Sequence, residues 1–228
     1  MMITPLLQVR DLNKSFFLHM IDGRKIDPIK HVSFDVAPKQ HFLIWGRSGV
    51  GKTSILKCIY RAYLASSGEI WFDSHQFGMV DLVKSDESTI LRLRQHEIGY
   101  CSQFLKVLPR VAALDVITEP LLRNGMERNA AYDTGRDWLE RLGIKEGLWH
   151  ASPVTFSGGE QQRINLGRAF IAAPRLLLLD EPTASLDANS KQIVVDMIDY
   201  ARAHGTAVLT VSHDLDTLAK LADDQLAL

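Results

Sequence analysis

Short apolar runs alternate along this chain with longer stretches in which apolar residues recur every three or four positions. Val32-Ser33-Phe34-Asp35-Val36 alternates like a half-buried strand, and His41-Phe42-Leu43-Ile44-Trp45 forms a second strand pattern between Pro38 and Gly46. Residues 53–64 have helical period. After the breaker Ser66-Ser67-Gly68, Glu69-Ile70-Trp71-Phe72 returns to a strand pattern. From Asp73 to about Pro153 amphipathic segments dominate: 88–97, 113–122 and 129–142, the last placing Trp138, Leu139 and Leu142 on one helical face. A helix over 158–172, a break at Pro174, the run Leu176-Leu177-Leu178-Leu179, a helix over 190–204 and a strand over 206–211 follow. Continuous apolar strands alternating with helices predict a mostly parallel sheet covered on both faces. The expected fold class is therefore α/β, with an N-terminal antiparallel β portion and an inserted α-helical subdomain. As one domain, the α/β core takes 1–103 and 158–228, and the helical subdomain takes about 104–157.

The strand before Gly46 runs into Gly46-Arg47-Ser48-Gly49-Val50-Gly51-Lys52-Thr53, followed by Ser54 in the predicted helix. This spacing fits the phosphate-binding loop of P-loop NTPases, and it stands between strand and helix, where that loop must stand. Glycines let successive N–H groups converge on a polyphosphate, and the helix start adds its positive dipole end. Lys52 has the reach to meet the β- and γ-phosphates, and the Thr53 hydroxyl is a hard oxygen ligand suited to Mg²⁺. Asp180-Glu181-Pro182 ends the buried Leu run. Asp180, on a strand expected beside the one that feeds the loop, is placed to hold Mg²⁺ through its waters, and Glu181 to orient and deprotonate an attacking water. Alone, such a tripeptide reads as a solvated strand end; the loop raises it above that. Ser157-Gly158-Gly159-Glu160-Gln161 opens a helix with two glycines behind a Ser N-cap, a second anion-seeking helix start. From those five residues alone, a well-capped helix is the better reading.

The phosphate loop, Gln103, Ser157 to Gln161, Asp180-Glu181, Ser185-Leu186-Asp187 and His213, in this order, resemble the ATP-binding cassette (ABC) ATPases over nearly the whole chain. The resemblance implies ATP and Mg²⁺ as cofactors and a head-to-tail homodimer closed over two ATP molecules. Ser157 and Gly159 would face the γ-phosphate bound by the other subunit, and Asp187 would act across the dimer. Gln103 would sense the γ-phosphate and Mg²⁺, and His213 would contact the γ-phosphate and water. An aromatic residue near the N-terminus stacks on adenine in this family. Phe16 is the candidate for that role and Phe17 its rival, with core packing open for both. Two separated phosphate-seeking helix starts serving one γ-phosphate point the same way, since a two-fold pairing brings patch i of one copy to patch j of the other. Loss of the γ-phosphate then removes a shared contact, which converts nucleotide state into opening and closing.

Charge and composition narrow the work such an engine performs. With 26 Lys+Arg against 27 Asp+Glu, the 228-residue chain lacks the basic excess of a protein that grips nucleic acid. DNA-repair cassettes are disfavoured further by the absence of heptads and Cys clusters. No run approaches the ~18 apolar residues of a membrane span, and no cationic leader precedes an apolar run near the start, so a cytoplasmic location without direct membrane insertion is expected. Cys58 and Cys101 read as two reduced, buried thiols. Tyr100, Trp138 and Trp149 read as core, and Arg92, Arg94 and His96 as a solvated mixed-charge face.

Two partner classes remain. Residues 44–53, 100–105 and 155–167 resemble most closely the ABC-type ATPase subunit of the bacterial carbon–phosphorus lyase system. That resemblance implies soluble partner subunits, including a second ABC ATPase, in an assembly that joins a phosphonate to the ribose of ATP with release of adenine, the ribose 1-methylphosphonate 5-triphosphate synthase. The alternative is a transporter cassette of the lipoprotein-releasing type, which has a similar Gln103-Phe104-Leu105 and Leu108-Pro109 stretch.

Overall fold

The computed structural model describes residues 4–18, 24–103, 109–184 and 186–228. Ser185 and the run 104–108, which holds the Phe104, Leu105 and Leu108 of the resemblances above, lie outside the described residues. In chain order the strands are β1 (Leu7–Leu18), β2 (Arg24–Val36), β3 (His41–Trp45), β4 (Ser67–Ser74), β5 (Gly78–Asp81), β6 (Ile98–Cys101), β7 (Leu176–Asp180), β8 (Ala207–Ser212) and β9 (Asp224–Ala227). The helices are α1 (Lys52–Ile59), α2 (Glu87–His96), α3 (Ala113–Arg123), α4 (Arg128–Arg141), α5 (Gly158–Phe170), α6 (Ala188–Ala203) and the single turn α7 (Leu215–Leu218).

The strands form two sheets. An antiparallel sheet runs in the order β2-β1-β4-β5, and a parallel sheet in the order β6-β7-β8-β3-β9. The continuous apolar composition of β3, β7 and β8 has a direct cause, because the parallel sheet is covered on both faces. Phe42, Ile44, Ile98, Leu176, Leu178, Leu209 and Val211 pack on one side into a core shared with α1 (Ile55, Leu56, Ile59) and the antiparallel sheet (Leu7, Val9, Ile70, Phe72). The alternate residues Leu43, Cys101, Leu177, Leu179 and Val208 face a second core built with α3, α4, α5 and α6. A side-chain period of two thus assigns each strand position to one core or the other.

Several elements differ from the sequence expectation. The helix expected over 53–64 ends at Ile59, where Tyr60 closes it and Arg61 turns into the left-handed region at φ 63°. The first strand pattern belongs to the longer β2. The helical texture read from Asp73 onward is interrupted, since β5 joins the antiparallel sheet, β6 joins the parallel one, and Ile90 and Leu93 of α2 pack in the α1-side core. The strand β7, expected beside β3, is separated from it by β8. Alternation over β1 is broken at Asp11, which takes φ 48° and accompanies a register shift against both neighbouring strands. The short, largely exposed β9 owes its form to pairing with β3 rather than to its own pattern.

The β1–β4 pairing requires Gly68. Its φ is 97°, and a Cβ there would lie 2.4 Å from the Asp11 carbonyl oxygen and 2.7 Å from Leu12 Cα, both backbone atoms. Gly68→Ala is expected to destabilise the fold by at least ~2 kcal/mol, read as a lower urea midpoint with an unchanged slope.

Candidate nucleotide site

The loop after β3 turns through Gly49 at φ 80° and Gly51 at φ 114° before α1 begins. Gly51 is the N-cap in left-handed conformation, and a Cβ on it would meet the Pro28 carbonyl oxygen of β2 at 2.4 Å. Only glycine permits that approach of loop to strand. Lys52 opens the helix yet reaches back across the loop. Its Nζ donates to the carbonyl oxygens of Gly46 (2.8 Å) and Arg47 (3.2 Å), with only 6% of the side chain exposed. A buried ammonium beside an N-terminus that no side chain caps is a site prepared for an anion.

Asp180 ends β7 on the α1 side of the sheet, almost fully buried. Thr53 Oγ1 donates to its Oδ1 at 2.7 Å, although β8 separates the strands, because α1 lies over both β7 and β8. Its Oδ2 accepts from the Tyr100 hydroxyl at 3.0 Å. Tyr100 therefore belongs to the site, against its reading as plain core. Burial first, and the charge of Asp180 second, raise the Tyr100 hydroxyl above its ordinary value, so it remains a protonated donor.

Glu181 takes φ 51°, an uncommon conformation for a residue with a side chain, and it occurs beside the chemistry. Its Oε2 accepts from the His213 backbone N–H (3.3 Å) and from Ser212 Oγ (3.2 Å), and lies 2.9 Å from His213 Nδ1. Its Oε1 stands 3.6 Å from Lys52 Nζ. Ser212 is a residue that the sequence reading did not single out.

A cleft of about 630 Å³ joins these groups. Its lining combines Ser48, Gly49, Gly51, Lys52, Thr53 and Ser54 of the loop and helix start with Gln103, Glu181 and His213 and with the apolar Phe16, Ile26 and Pro28. Phe16 lines the cleft, set edge-on to Tyr63 with the Lys14 ammonium 4.6 Å from its ring centroid, whereas Phe17 is 61% exposed and is not in the wall. Gly46, Arg47 and Val50 complete the loop without lining the cleft. The residues fit a Mg²⁺ nucleotide: a cationic, N–H-rich loop for phosphates, an apolar wall for a base, and the Thr53–Asp180 oxygen pair for a hard cation. Among the described residues no cluster of three His, Cys, Asp or Glu side chains could by itself hold a metal.

The remaining predicted residues stand outside this cleft. Ser157 caps α5 in a capping box: its backbone N–H and its hydroxyl donate to Glu160 Oε2 at 2.9 and 2.6 Å, and its Oγ accepts from the Glu160 N–H. Gly158 and Gly159 form the first turn. Asp187 caps the neighbouring α6 by accepting from the Ser190 N–H at 2.8 Å. The two helix starts are adjacent, since a Cβ on Gly159 would lie 3.8 Å from Ser190 Oγ. Hydrogen bonds from Ser157 and from Ser190, respectively, hold the carboxylates of Glu160 and Asp187 below the ordinary range. Cys58 and Cys101 are free and buried, and burial pushes the Cys58 thiol up to about 11.

Residues 29–184, more than half of the chain, match the family model described as ABC transporter. The chain belongs to the ABC transporter family. The cassette is 32% identical over 216 residues to the lipoprotein-releasing system ATP-binding protein LolD of Myxococcus xanthus (strain DK1622), covering 94% of this chain and 92% of that one. It is 33% identical to LolD of Shewanella frigidimarina (strain NCIMB 400), covering 98% and 90%. It is 29% identical to the uncharacterized ABC transporter ATP-binding protein YvrO of Bacillus subtilis (strain 168), covering 96% and 91%. Its fold matches the ATP-binding cassette MJ0796, solved as a dimer in a post-hydrolysis state bound to ADP and Pi, with a TM-score of 0.87 at 23% identity over 97% of this chain and 94% of that one. These findings establish the P-loop ABC cassette fold, with ATP and Mg²⁺ as the family's cofactors. The names of these relatives agree with the transporter alternative rather than with a subunit of the phosphonate system.

For this cassette, Lys52→Ala is expected to weaken ATP binding ~10–100-fold, the loss of a charge-assisted contact, as measured by equilibrium titration.

Proposed function

We propose that this chain hydrolyses ATP as a head-to-tail homodimer and performs its work on a separate partner chain. The observation that carries this reading is the division of the site. One cleft gathers Phe16, the phosphate loop, Gln103, Glu181 and His213, while Ser157, Gly158, Gly159, Glu160 and Asp187 cluster at two helix starts outside its wall. A second copy related by two-fold symmetry presents the second group to the cleft of the first. MJ0796, which shares this fold, was solved as a dimer, and that supports a working unit of two cassettes.

In this mechanism the phosphate chain lies along the loop N–H groups and draws Lys52 from Glu181 to its own oxygens. Thr53, Asp180 and Gln103 are the residues that would hold Mg²⁺, which would supply charge neutralisation to the transferred phosphoryl group. Glu181, oriented by Ser212 and by the backbone and ring of His213, then accepts a proton from the attacking water. Phe16 stacks on adenine.

The partner we favour is a membrane permease of the lipoprotein-releasing kind, with the cassette on the cytoplasmic side. Support comes from relatives aligned over more than nine-tenths of the chain. No helix among the described residues is long and apolar enough to cross a membrane. A second reading, service to the soluble phosphonate lyase complex, rests on the residue runs 44–53, 100–105 and 155–167.

Glu181→Gln is expected to retain ATP binding, to lower turnover ~100–10,000-fold, and to accumulate an ATP-bound dimer in size-exclusion chromatography. Undiminished phosphate release removes Glu181 as the base. For the partner, the natively expressed protein is isolated with and without detergent. Co-isolation of an integral-membrane permease only from detergent extracts is expected, and recovery with soluble phosphonate enzymes instead transfers the assignment to the second reading.

A further inference from the structure

We propose that Tyr100 is a positioning residue for Asp180: its hydroxyl holds one carboxylate oxygen so that the other stays turned to Thr53 and the metal. The inference rests on the nucleotide reading above and adds a residue to it. Asp180 is 4% exposed, and its two oxygens are divided between two donors from different elements, Thr53 on Oδ1 at 2.7 Å and Tyr100 on Oδ2 at 3.0 Å. A buried carboxylate released by one donor is left with an unsatisfied oxygen and freedom to rotate, and either change displaces the face that meets the cation.

The register explains how the contact is made. Tyr100 of β6 pairs with Leu178 of β7, so Tyr100, Leu178 and Asp180 share one face of the sheet, and the phenol reaches one pleat further to the carboxylate. The ring is held from behind. Tyr60 stacks on it with centroids 5.0 Å apart and planes 25° from parallel. The guanidinium of Arg94 lies 4.6 Å from the Tyr60 ring centroid while its Nε donates to the Tyr60 carbonyl at 2.8 Å. Arg94, expected on a solvated face, therefore backs this stack. Tyr60 is the C-cap of α1, the helix whose first turn carries Thr53. Both ends of α1 thus act on one carboxylate, directly through Thr53 and through the Tyr60–Tyr100 stack. The ring contacts alone need only a phenylalanine; the hydroxyl serves Asp180.

The test is made on Glu181→Gln protein, which is designed to bind without turning over. Binding of a fluorescent ATP analogue is titrated with Mg²⁺ for this parent and for the same protein with Tyr100→Phe, which keeps the stacked ring. The Mg²⁺ concentration at half-saturation is expected to rise ~10-fold in the phenylalanine variant, while nucleotide affinity in EDTA and the metal-free melting temperature stay unchanged. An unaltered Mg²⁺ midpoint overturns the proposal, and so does a parallel loss of metal-free affinity, which marks a merely structural role. A parent that shows no Mg²⁺-dependent nucleotide binding removes the nucleotide reading itself, and this proposal with it.

Discussion

A carboxylate buried at the end of an apolar strand must be satisfied by its neighbours, and at Asp180 that need ties the molecule together. Thr53 brings the start of α1 to it and Tyr100 brings β6, so the helix that follows the phosphate loop is fastened over the sheet by this one carboxylate. The order of the strands within the sheet makes this possible. With β8 between β7 and β3, the loop leaving β3 crosses the C-terminal edge of the sheet before its helix settles over β7 and β8. That edge is where open parallel sheets present their ligand sites. Glu181 and His213, one residue beyond the ends of β7 and β8, stand there for the same reason.

The same edge explains how a nearly neutral chain carries an anion site. Its positive potential is concentrated in one buried ammonium and in backbone N–H groups at helix starts, which add nothing to formal charge. Lys52 lies between two loop carbonyls and Glu181, so the cation is balanced in the protein alone and can exchange those partners for phosphate oxygens. Glu181 is bound on its other oxygen by Ser212 and His213. In the proposed mechanism, removal of Lys52 from Glu181 by phosphate would link arrival of nucleotide to release of the proposed base.

The two halves of the site lie on opposite sides of a structural division. The cleft belongs to the core that α1 shares with the antiparallel sheet. The helix starts at Ser157 and Asp187 belong to the α5 and α6 side, capped by their own acidic residues. Under the proposed pairing, closing the dimer exchanges these local caps for contacts with a neighbour's nucleotide, and opening restores them. The cost of each is a few hydrogen bonds, which suits a cycle driven by one phosphate.

Much of this was legible in the residues. Gly46 to Thr53, Asp180-Glu181 and Ser157 to Glu160 are local motifs whose geometry is set within a few residues, by glycine at positive φ, by a strand end and by an N-cap, so spacing alone identifies them. The continuous apolar strands likewise announce a sheet covered on both faces. Other features arise between segments far apart in the chain, and no local pattern carries them. β9 is a strand only because β3 offers an open edge, and β1 keeps its pairing across a kink at Asp11 because Gly68 leaves room. Phe16 rather than Phe17 lines the cleft because the pleat turns one of two adjacent rings inward. Tyr100 looked like core because its ring is core, and only the β6–β7 register shows where its hydroxyl goes. Sequence by itself determined which chemistry the chain carries, since motifs are short-range. Tertiary structure decided which of those groups meet, since contacts across strands depend on register, crossover and packing that no single segment encodes.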